Sequence, residues 1–253
     1  MSHGLRLFGP VHLSILAAIP LLAGGLVRLA RGLPDRNRLI ARVLGILLGL
    51  NEIIWYIWRL RVEGFRFPEG LPLELCDLTL WLTVASMLLY GAPSPQGLRA
   101  FALRPAIFEF AWLAGLGGAL MAVLTPDLWA PLASYPSIYF FLAHGGVVAS
   151  LLFLVWSSLA RPRPGCVRRT FLLVNGYAAL ISIFDAVFGT NYMYLCRKPV
   201  SASLLDLFGP WPIYLIGGEL ATIVIFWILW APFRWPARRG LEGQMPVQDA
   251  STR

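Results

Sequence analysis

The sequence predicts an all-α polytopic membrane protein, a bundle of seven transmembrane helices. Three observations support this fold class. Of the 253 residues, 58% are hydrophobic and only 13% are charged, whereas soluble domains carry about 25% charged residues. A helix needs about 20 apolar residues to span a bilayer, and apolar runs of about this length recur along the whole chain. The basic residues behind the net charge of +8 lie between these runs and form no aromatic-interleaved stripe, so a soluble enzyme or a nucleic-acid-binding module is excluded.

Each predicted span is an apolar run that is bounded by charged residues, prolines or glycines. This reading places the spans near 9–28, 39–58, 73–91, 105–124, 137–159, 170–188 and 211–232. The first is expected to be a retained helix and not a cleavable signal peptide, because its positive flank follows the apolar run. The second contains the GxxxG pair Gly45 and Gly49, and the fourth has Gly115 and Gly118 on one face. Close contacts between helices are expected at these glycines.

The bias of the basic residues orients the bundle. Of the 21 basic residues, fifteen lie in the first, third and fifth connections, with their flanking helix ends, and in the C-terminal tail, while six lie on the opposite side. The positive-inside rule then places the N-terminus outside and the C-terminus in the cytoplasm. The spans are expected to form one domain over residues 1–240, followed by a disordered cytoplasmic tail over 241–253.

Polar residues within the apolar spans gather at one depth, near the outer face. These residues are His12, Glu52, Glu74, Cys76, Asp77, His144, Asp185, Asn191 and Glu219. Only Glu109 lies clearly nearer the cytoplasm. Ionisable groups inside a bilayer are costly and usually mark a pathway, a pair or a site, so the pattern predicts a polar cavity that opens outward. The alternative is that they tie helices together by hydrogen bonds worth about 0.6–2 kcal/mol each.

Cys76 and His144 are the candidate catalytic pair. A thiol in the first turn of a helix feels the positive end of the helix dipole, and a histidine at similar depth can accept its proton, which is the arrangement of a Cys/His acyl-transfer dyad. Glu74 and Asp77 flank the thiol, and their negative charge would oppose a thiolate. They are therefore also candidates for orienting His144 or for binding a cationic head group.

Other readings of the same residues stay open. A single cysteine in a membrane helix is more often a small packing residue, and Cys76 could also form a disulfide with Cys196 on the oxidising outer side. A bis-histidine haem between His12 and His144 is a further alternative. The three cysteines lack CxxC spacing, so no metal or other cofactor is expected.

The sixth connection is unlike a simple linker. It runs from Asn191 through Asp206 to the Gly209-Pro210-Trp211-Pro212 turn. Its aromatic residues suit the headgroup belt of a membrane, and its paired cations suit a lipid phosphate. The candidate substrate-binding residues here are Asn191, Tyr192, Tyr194, Arg197, Lys198, Asp206 and Trp211. The prolines alone would also set sharp turns without any ligand.

Four motifs carry a resemblance to a known family. They are Leu71-Pro72-Leu73-Glu74-Leu75-Cys76-Asp77-Leu78, Leu124-Thr125-Pro126-Asp127-Leu128, Phe141-Leu142-Ala143-His144-Gly145, and the segment from Asn191 to Pro199 with Gly209-Pro210-Trp211-Pro212. Their order and spacing resemble the bacterial YwaF-type integral membrane family, which is similar to eukaryotic transmembrane protein 164, a lysophospholipid acyltransferase. The resemblance implies that Cys76 is the acyl-accepting nucleophile, that His144 is its general base, and that the Asn191 to Lys198 loop lies near the substrate. A bacterial inner membrane location follows from the same likeness.

Two functions are expected to compete. The first is an integral membrane lipid acyltransferase or acyl hydrolase that forms a thioester on Cys76, with phospholipids and lysophospholipids as its partners and no nucleic acid. The second is a transporter or a binding protein for lipids or small molecules, with a cation or proton site lined by carboxylates, namely Glu52, Glu74, Asp77, Asp185 and Glu219. No inverted repeat is evident, which is atypical of alternating access. The sequence leaves the oligomeric state open.

Overall fold

Helices are the only regular secondary structure in the described part of the chain. The computed structural model describes residues 5–92, 99–198 and 204–234. Its helices are α1 (Pro10–Leu29), α2 (Pro34–Val62), α3 (Leu75–Gly91), α4 (Arg99–Phe110), α5 (Leu116–Leu124), α6 (Tyr135–Trp156), α7 (Cys166–Phe188) and α8 (Ile213–Trp230). A π-helical turn, Ala111–Gly115, joins α4 to α5, so the two form one continuous rod. Short 3-10 helices occupy Tyr192–Tyr194, Leu204–Phe208 and Ala231–Phe233.

The predicted polytopic helix bundle is confirmed. Within the described residues, six helices are long and apolar enough to cross a membrane, and α3 is a shorter apolar helix of 17 residues. At a rise of 1.5 Å per residue, α3 is about 25 Å long, slightly less than the hydrocarbon core of about 30 Å. The predicted orientation of the termini and the bounds of the single domain stay predictions. The tail over 241–253 lies outside the described residues.

Several helix ends differ from the predicted spans for local reasons. Helix α2 has 29 residues and extends beyond 39–58 at both ends. Its earlier start is at Pro34, a residue type that can begin a helix in its first turn. Helix α7 begins at Cys166, four residues earlier than predicted, directly after Gly165, whose φ of 78° is in the left-handed region that favours glycine. Helix α8 begins at Ile213, two residues later than predicted, after Pro212.

Helices α2 and α3 pack closely because glycines face the neighbouring helix. A Cβ added to Gly45 would lie 2.8 Å from Cβ of Met87, so this position cannot carry a larger side chain without a shift. A Cβ on Gly115, in the π-helical turn, would lie 3.1 Å from Cβ of Thr79 on α3. The close contacts expected at Gly45 and Gly115 are therefore present. The expectation is wrong for Gly118, where an added Cβ meets nothing within 4 Å.

The register of α2 against α3 sets the depth of Cys76. Gly45 lies beside Met87, and Gly91 lies beside Arg42, so the antiparallel pair places Cys76 opposite roughly residue 57. Because α2 continues to Val62, the thiol lies about 8 Å inside the end of that helix, at 1.5 Å per residue. Cys76 therefore sits below the rim of the bundle.

The core of the bundle lies between α3, the α4–α5 rod and α6. Its fully buried side chains include Met87, Phe108, Leu113, Leu151 and Phe153. The outer helices expose large apolar side chains instead, such as Leu21, Ile183 and Ile216. An exposed apolar face of this extent suits contact with lipid.

The end of the bundle away from Cys76 contains a buried carboxylate with two arginine partners. Glu109 is 1% exposed. Its oxygens lie 2.7 Å from Nε of Arg163 and 3.0 Å from Nη2 of Arg169. The buried charge is therefore fully compensated, and the three side chains join α4 to the start of α7.

Candidate functional site

Cys76 is held in the first turn of α3 by a reciprocal cap. The Glu74 side chain accepts the backbone N–H of Asp77, and Oδ2 of Asp77 accepts the backbone N–H of Glu74 at 3.2 Å. This capping box fixes where the helix begins. It leaves the backbone N–H groups of Leu75 and Cys76 without a cap, as expected for the first turn of a helix. The Cys76 side chain itself is exposed.

Cys76 and His144 line the same small cavity between α3 and α6. Asp77, Thr79 and Tyr139 contribute its other polar groups. The cavity has a volume of about 30 Å³, which is room for about two water molecules and far less than a fatty acyl chain needs. No hydrogen bond joins Cys76 to His144 within the described part of the chain. The two residues thus share a space that a reacting group could enter.

The ring of His144 is held in one tautomer. Its Nδ1 lies 2.9 Å from the carbonyl oxygen of Phe140, one turn earlier in α6. Because a carbonyl oxygen only accepts, Nδ1 carries the hydrogen and Nε2 is left with a free lone pair. The Phe140 ring packs against the imidazole with a centroid separation of 4.4 Å. The side chain is therefore set up to accept a proton through Nε2.

Tyr139 is a site residue that sequence reasoning missed. Its hydroxyl donates a hydrogen bond of 2.6 Å to Oε2 of Glu52, and its ring stacks on Trp55 at a centroid distance of 4.1 Å. Glu52 is completely buried, and its Oε1 has no hydrogen-bond partner among the described residues. Glu52 therefore reaches the cavity through Tyr139. The only sequence signal was a tyrosine at nearly the depth of His144.

The sixth connection is anchored to α7 and to the start of α3. Oδ1 of Asp185 accepts hydrogen bonds from Thr190 Oγ1 at 2.5 Å and from the backbone N–H of Tyr192 at 3.0 Å. Oε2 of Glu74 accepts the backbone N–H of Met193 at 3.0 Å. The Tyr192 hydroxyl lies 2.8 Å from the carbonyl oxygen of Pro68. These bonds place the loop next to the first turn of α3.

Asn191 organises the rest of this loop. Its Oδ1 accepts the backbone N–H groups of Cys196 at 3.0 Å and Arg197 at 2.9 Å. Lys198 forms an ion pair of 3.3 Å with Asp206. Lys198 and Asp206 thus compensate each other. The Arg197 side chain is exposed and has no ion pair within the described ranges.

The loop is also tied to the entry of α8. The Tyr214 hydroxyl donates a hydrogen bond to the carbonyl oxygen of Tyr194. Trp211 is exposed, and its Nε1 donates to the carbonyl oxygen of Leu195 at 3.1 Å. Tyr194 and Trp211 therefore have structural partners in addition to any lipid.

Glu74 and Tyr194 are titratable groups of this region that lie outside the spanning helices and have shifted pKa values. Burial raises the pKa of Glu74, the Met193 N–H lowers it, and the charge of Asp185 raises it. Burial also raises the pKa of Tyr194, and the charges of Glu74 and Asp127 raise it further. Negative charge from several side chains is thus concentrated near the start of α3.

Other polar residues that were expected at the cavity join helices elsewhere. Nδ1 of His12 accepts the backbone N–H of Phe8 at 2.9 Å, so Nε2 carries the hydrogen and donates to the carbonyl oxygen of Val123 at 2.7 Å. Both nitrogens are occupied, which removes the alternative of a haem held by His12. Glu219 accepts a hydrogen bond of 3.1 Å from Asn175, which joins α8 to α7. The contacts observed for these two residues are the interhelical hydrogen bonds of the alternative interpretation, and their place in an outward cavity stays a prediction.

The three cysteines are free thiols. Cys76 and Cys196 are both exposed and are not joined, so the alternative of a disulfide between them is not realised in this structure. Cys166 is buried at the opposite end of the bundle. Among the described residues, no group of three or more His, Cys, Asp or Glu side chains is arranged to hold a metal ion.

Comparison with known proteins identifies one matching family. The family model described as the TMEM164 family matches residues 7–230, a range that begins just before α1 and ends with α8. No curated protein and no solved structure matches the chain. The match therefore covers Cys76, His144 and the loop between α7 and α8.

Proposed function

Since the chain belongs to the TMEM164 family, we propose that it is an integral membrane acyltransferase that acts on phospholipids and lysophospholipids through Cys76 and His144. One observation carries the proposal. Residues from two different helices, a thiol on α3 and an imidazole on α6, line a single cavity. A thiol next to a positioned base is the arrangement that forms a thioester.

In the first half-reaction, Nε2 of His144 takes the proton of the Cys76 thiol as Sγ attacks the ester carbonyl of a phospholipid. The carbon–sulfur bond forms, and the carbonyl π electrons move to oxygen. Collapse of this tetrahedral intermediate breaks the bond to the glycerol oxygen, which takes the proton from His144 and leaves as a lysophospholipid. The acyl chain remains on Cys76 as a thioester.

The second half-reaction reverses these roles. The hydroxyl of an acceptor lysophospholipid gives its proton to Nε2 of His144 and attacks the thioester. The carbon–sulfur bond breaks, and Sγ recovers the proton. Water in place of the acceptor would give a free fatty acid, which makes the same site a hydrolase. Selection of the acceptor over water therefore decides which activity dominates.

The first turn of α3 supplies a binding site for the negative oxygen of both intermediates. The N–H groups of Leu75 and Cys76 are not used by the capping box and belong to Cys76 itself and to the residue before it. The positive end of the helix dipole adds to their effect. The negative charge of Glu74 and Asp77 opposes a resting thiolate, so proton transfer to His144 at the moment of attack is the step that activates sulfur.

A second cavity is suited to the acyl chain. It has a volume of about 210 Å³ and lies between α3, α5, α7 and α8, with Leu75, Gly118, Met121 and Phe226 among its lining residues. Leu75, which directly precedes Cys76, is one of its lining residues, so the groove reaches the first turn of α3. The groove has open space beside Gly118, since an added Cβ there meets nothing within 4 Å.

A second candidate function is a cation or proton site centred on Glu52. It is favoured by the unpartnered Oε1 of this buried carboxylate, which lies close enough to Asp77 for their charges to interact. Two of the carboxylates first assigned to such a site have other roles, because Asp185 anchors the sixth connection and Glu219 pairs with Asn175. The Cys76 thiol plays no part in this function.

Acyl exchange between a labelled phospholipid and an unlabelled lysophospholipid tests the proposal. Purified protein in nanodiscs would be compared with its Cys76→Ala and His144→Gln variants and with Cys196→Ser, a matched loss of another exposed thiol. We expect activity in the wild type and in Cys196→Ser only. Full activity of Cys76→Ala would exclude the thioester mechanism, and proton or cation flux without exchange would favour the Glu52 site.

A further inference from the structure

A third cavity lies at the end of the bundle away from Cys76, between the first turns of α7 and the last turns of α8. Its volume is about 290 Å³. Phe171, Ile223, Trp227 and Trp230 form its apolar walls, and Arg168 is its charged residue. Ile223 and Trp230 are about 10 Å apart along α8 at 1.5 Å per residue, so the groove runs along the helix.

Two arginines place positive charge at this groove. Arg168 is exposed and has no ion pair within the described part of the chain. The guanidinium of Arg234 lies 5.7 Å from the ring centroid of Trp227 and 5.8 Å from that of Trp230, so it stands over two side chains of the groove wall. The neighbouring carboxylate, Glu109, is already paired with Arg163 and Arg169 and cannot neutralise them.

We propose that this groove binds one anionic phospholipid, with its phosphate between Arg168 and Arg234 and an acyl chain against Phe171 and Trp227. Charge complementarity favours this occupant, because the walls are apolar and the two cations have no carboxylate partner among the described residues. Basic pockets between transmembrane helices bind anionic head groups, and tryptophans favour the level of the head groups. A zwitterionic lipid would bring its own cation toward the arginines. The site is separate from the proposed acyl-transfer cavity and does not depend on that function.

Native mass spectrometry of the full chain in detergent, with phosphatidylglycerol or phosphatidylcholine added, tests the proposal. The double variant Arg168→Gln/Arg234→Gln removes both cations. The matched control is Arg28→Gln/Arg31→Gln, which makes the same charge change at the same end of the bundle, on two exposed residues in and just after the last turn of α1. An additional variant, Ile223→Trp, fills the groove and leaves the charges in place.

We expect one phosphatidylglycerol to bind in preference to phosphatidylcholine. The double variant should weaken this binding roughly thirtyfold, the factor that corresponds to about 1 kcal/mol for each lost surface cation. Ile223→Trp should weaken it as well, and the control should not. Equal binding of the two lipids, equal losses in the double variant and the control, or a dimer whose formation is blocked by Ile223→Trp would each overturn the proposal.

Discussion

Replacement of Glu74 by alanine should loosen the start of α3 and the sixth connection together. Glu74 accepts two backbone N–H groups, those of Asp77 and Met193. Loss of a helix cap costs about 1 kcal/mol, and loss of a hydrogen bond to a charged group costs about 1.5–3 kcal/mol. Burial raises the pKa of Glu74, which favours the lower part of this range. We therefore expect a loss of about 2.5–3 kcal/mol in the free energy of unfolding.

Equilibrium unfolding in mixed micelles containing SDS, followed by circular dichroism, measures this loss. Glu74→Gln is the matched control, because an amide oxygen can still accept both N–H groups. The reasoning is refuted if Glu74→Ala has the same free energy of unfolding as the wild type, or if Glu74→Gln loses as much stability as Glu74→Ala.

The same pair of variants gives the pH dependence. The carboxyl has a higher pKa in the folded protein than its ordinary value of 4.5, so the folded state holds the proton more tightly. The contribution of Glu74 to stability is therefore fully present below pH 4.5 and is lost as the pH rises through the folded pKa. As the pH rises from 4.5 through the folded pKa of Glu74, the wild type should lose stability relative to Glu74→Gln. A difference between the two that stays constant with pH would contradict the assignment.

Three further substitutions have defined outcomes. Glu109→Gln should cost about 2 kcal/mol in SDS unfolding, less than the 3–5 kcal/mol of a fully buried pair, because its two arginine partners are half exposed; an unchanged midpoint would show that the arginines contribute nothing. Tyr139→Phe should cost about 1–2 kcal/mol in the same assay, because it removes the partner of a buried glutamate, whereas Tyr135→Phe, which removes a buried hydroxyl without a partner, should be neutral. Gly118→Leu should abolish transfer of long acyl chains and spare short ones, while Gly25→Leu, which also has open space around it, should leave chain-length preference unchanged.

The sequence was sufficient for the elements whose signals are local. Apolar length alone indicated the long helices, and it placed the start of the third span near residue 73, two residues before α3 begins at Leu75. Helix ends were less predictable where a single residue decides them. At Gly165 the backbone turns into the left-handed region, and the helix that follows begins four residues before the predicted span.

The direction in which a polar side chain points was not predictable from its depth. His12 and His144 lie in apolar helices at the same expected level. The first is turned toward the carbonyl oxygen of Val123, and the second lines the cavity with Cys76. Tyr139 was missed for the same reason, since its role arises from Glu52 on another helix. Such pairings depend on helix rotation and packing, which one sequence does not encode in any local pattern.

Intact mass spectrometry of the protein after brief incubation with a phospholipid donor tests the central claim most directly. The account predicts a mass increase of one acyl group on wild type and on Cys196→Ser, reversed by hydroxylamine as a thioester should be. The increase should be absent from Cys76→Ala and much slower to form in His144→Gln. An acyl adduct that persists in Cys76→Ala, or acyl exchange by wild type without any adduct on Cys76 when the acceptor is withheld, would contradict the account.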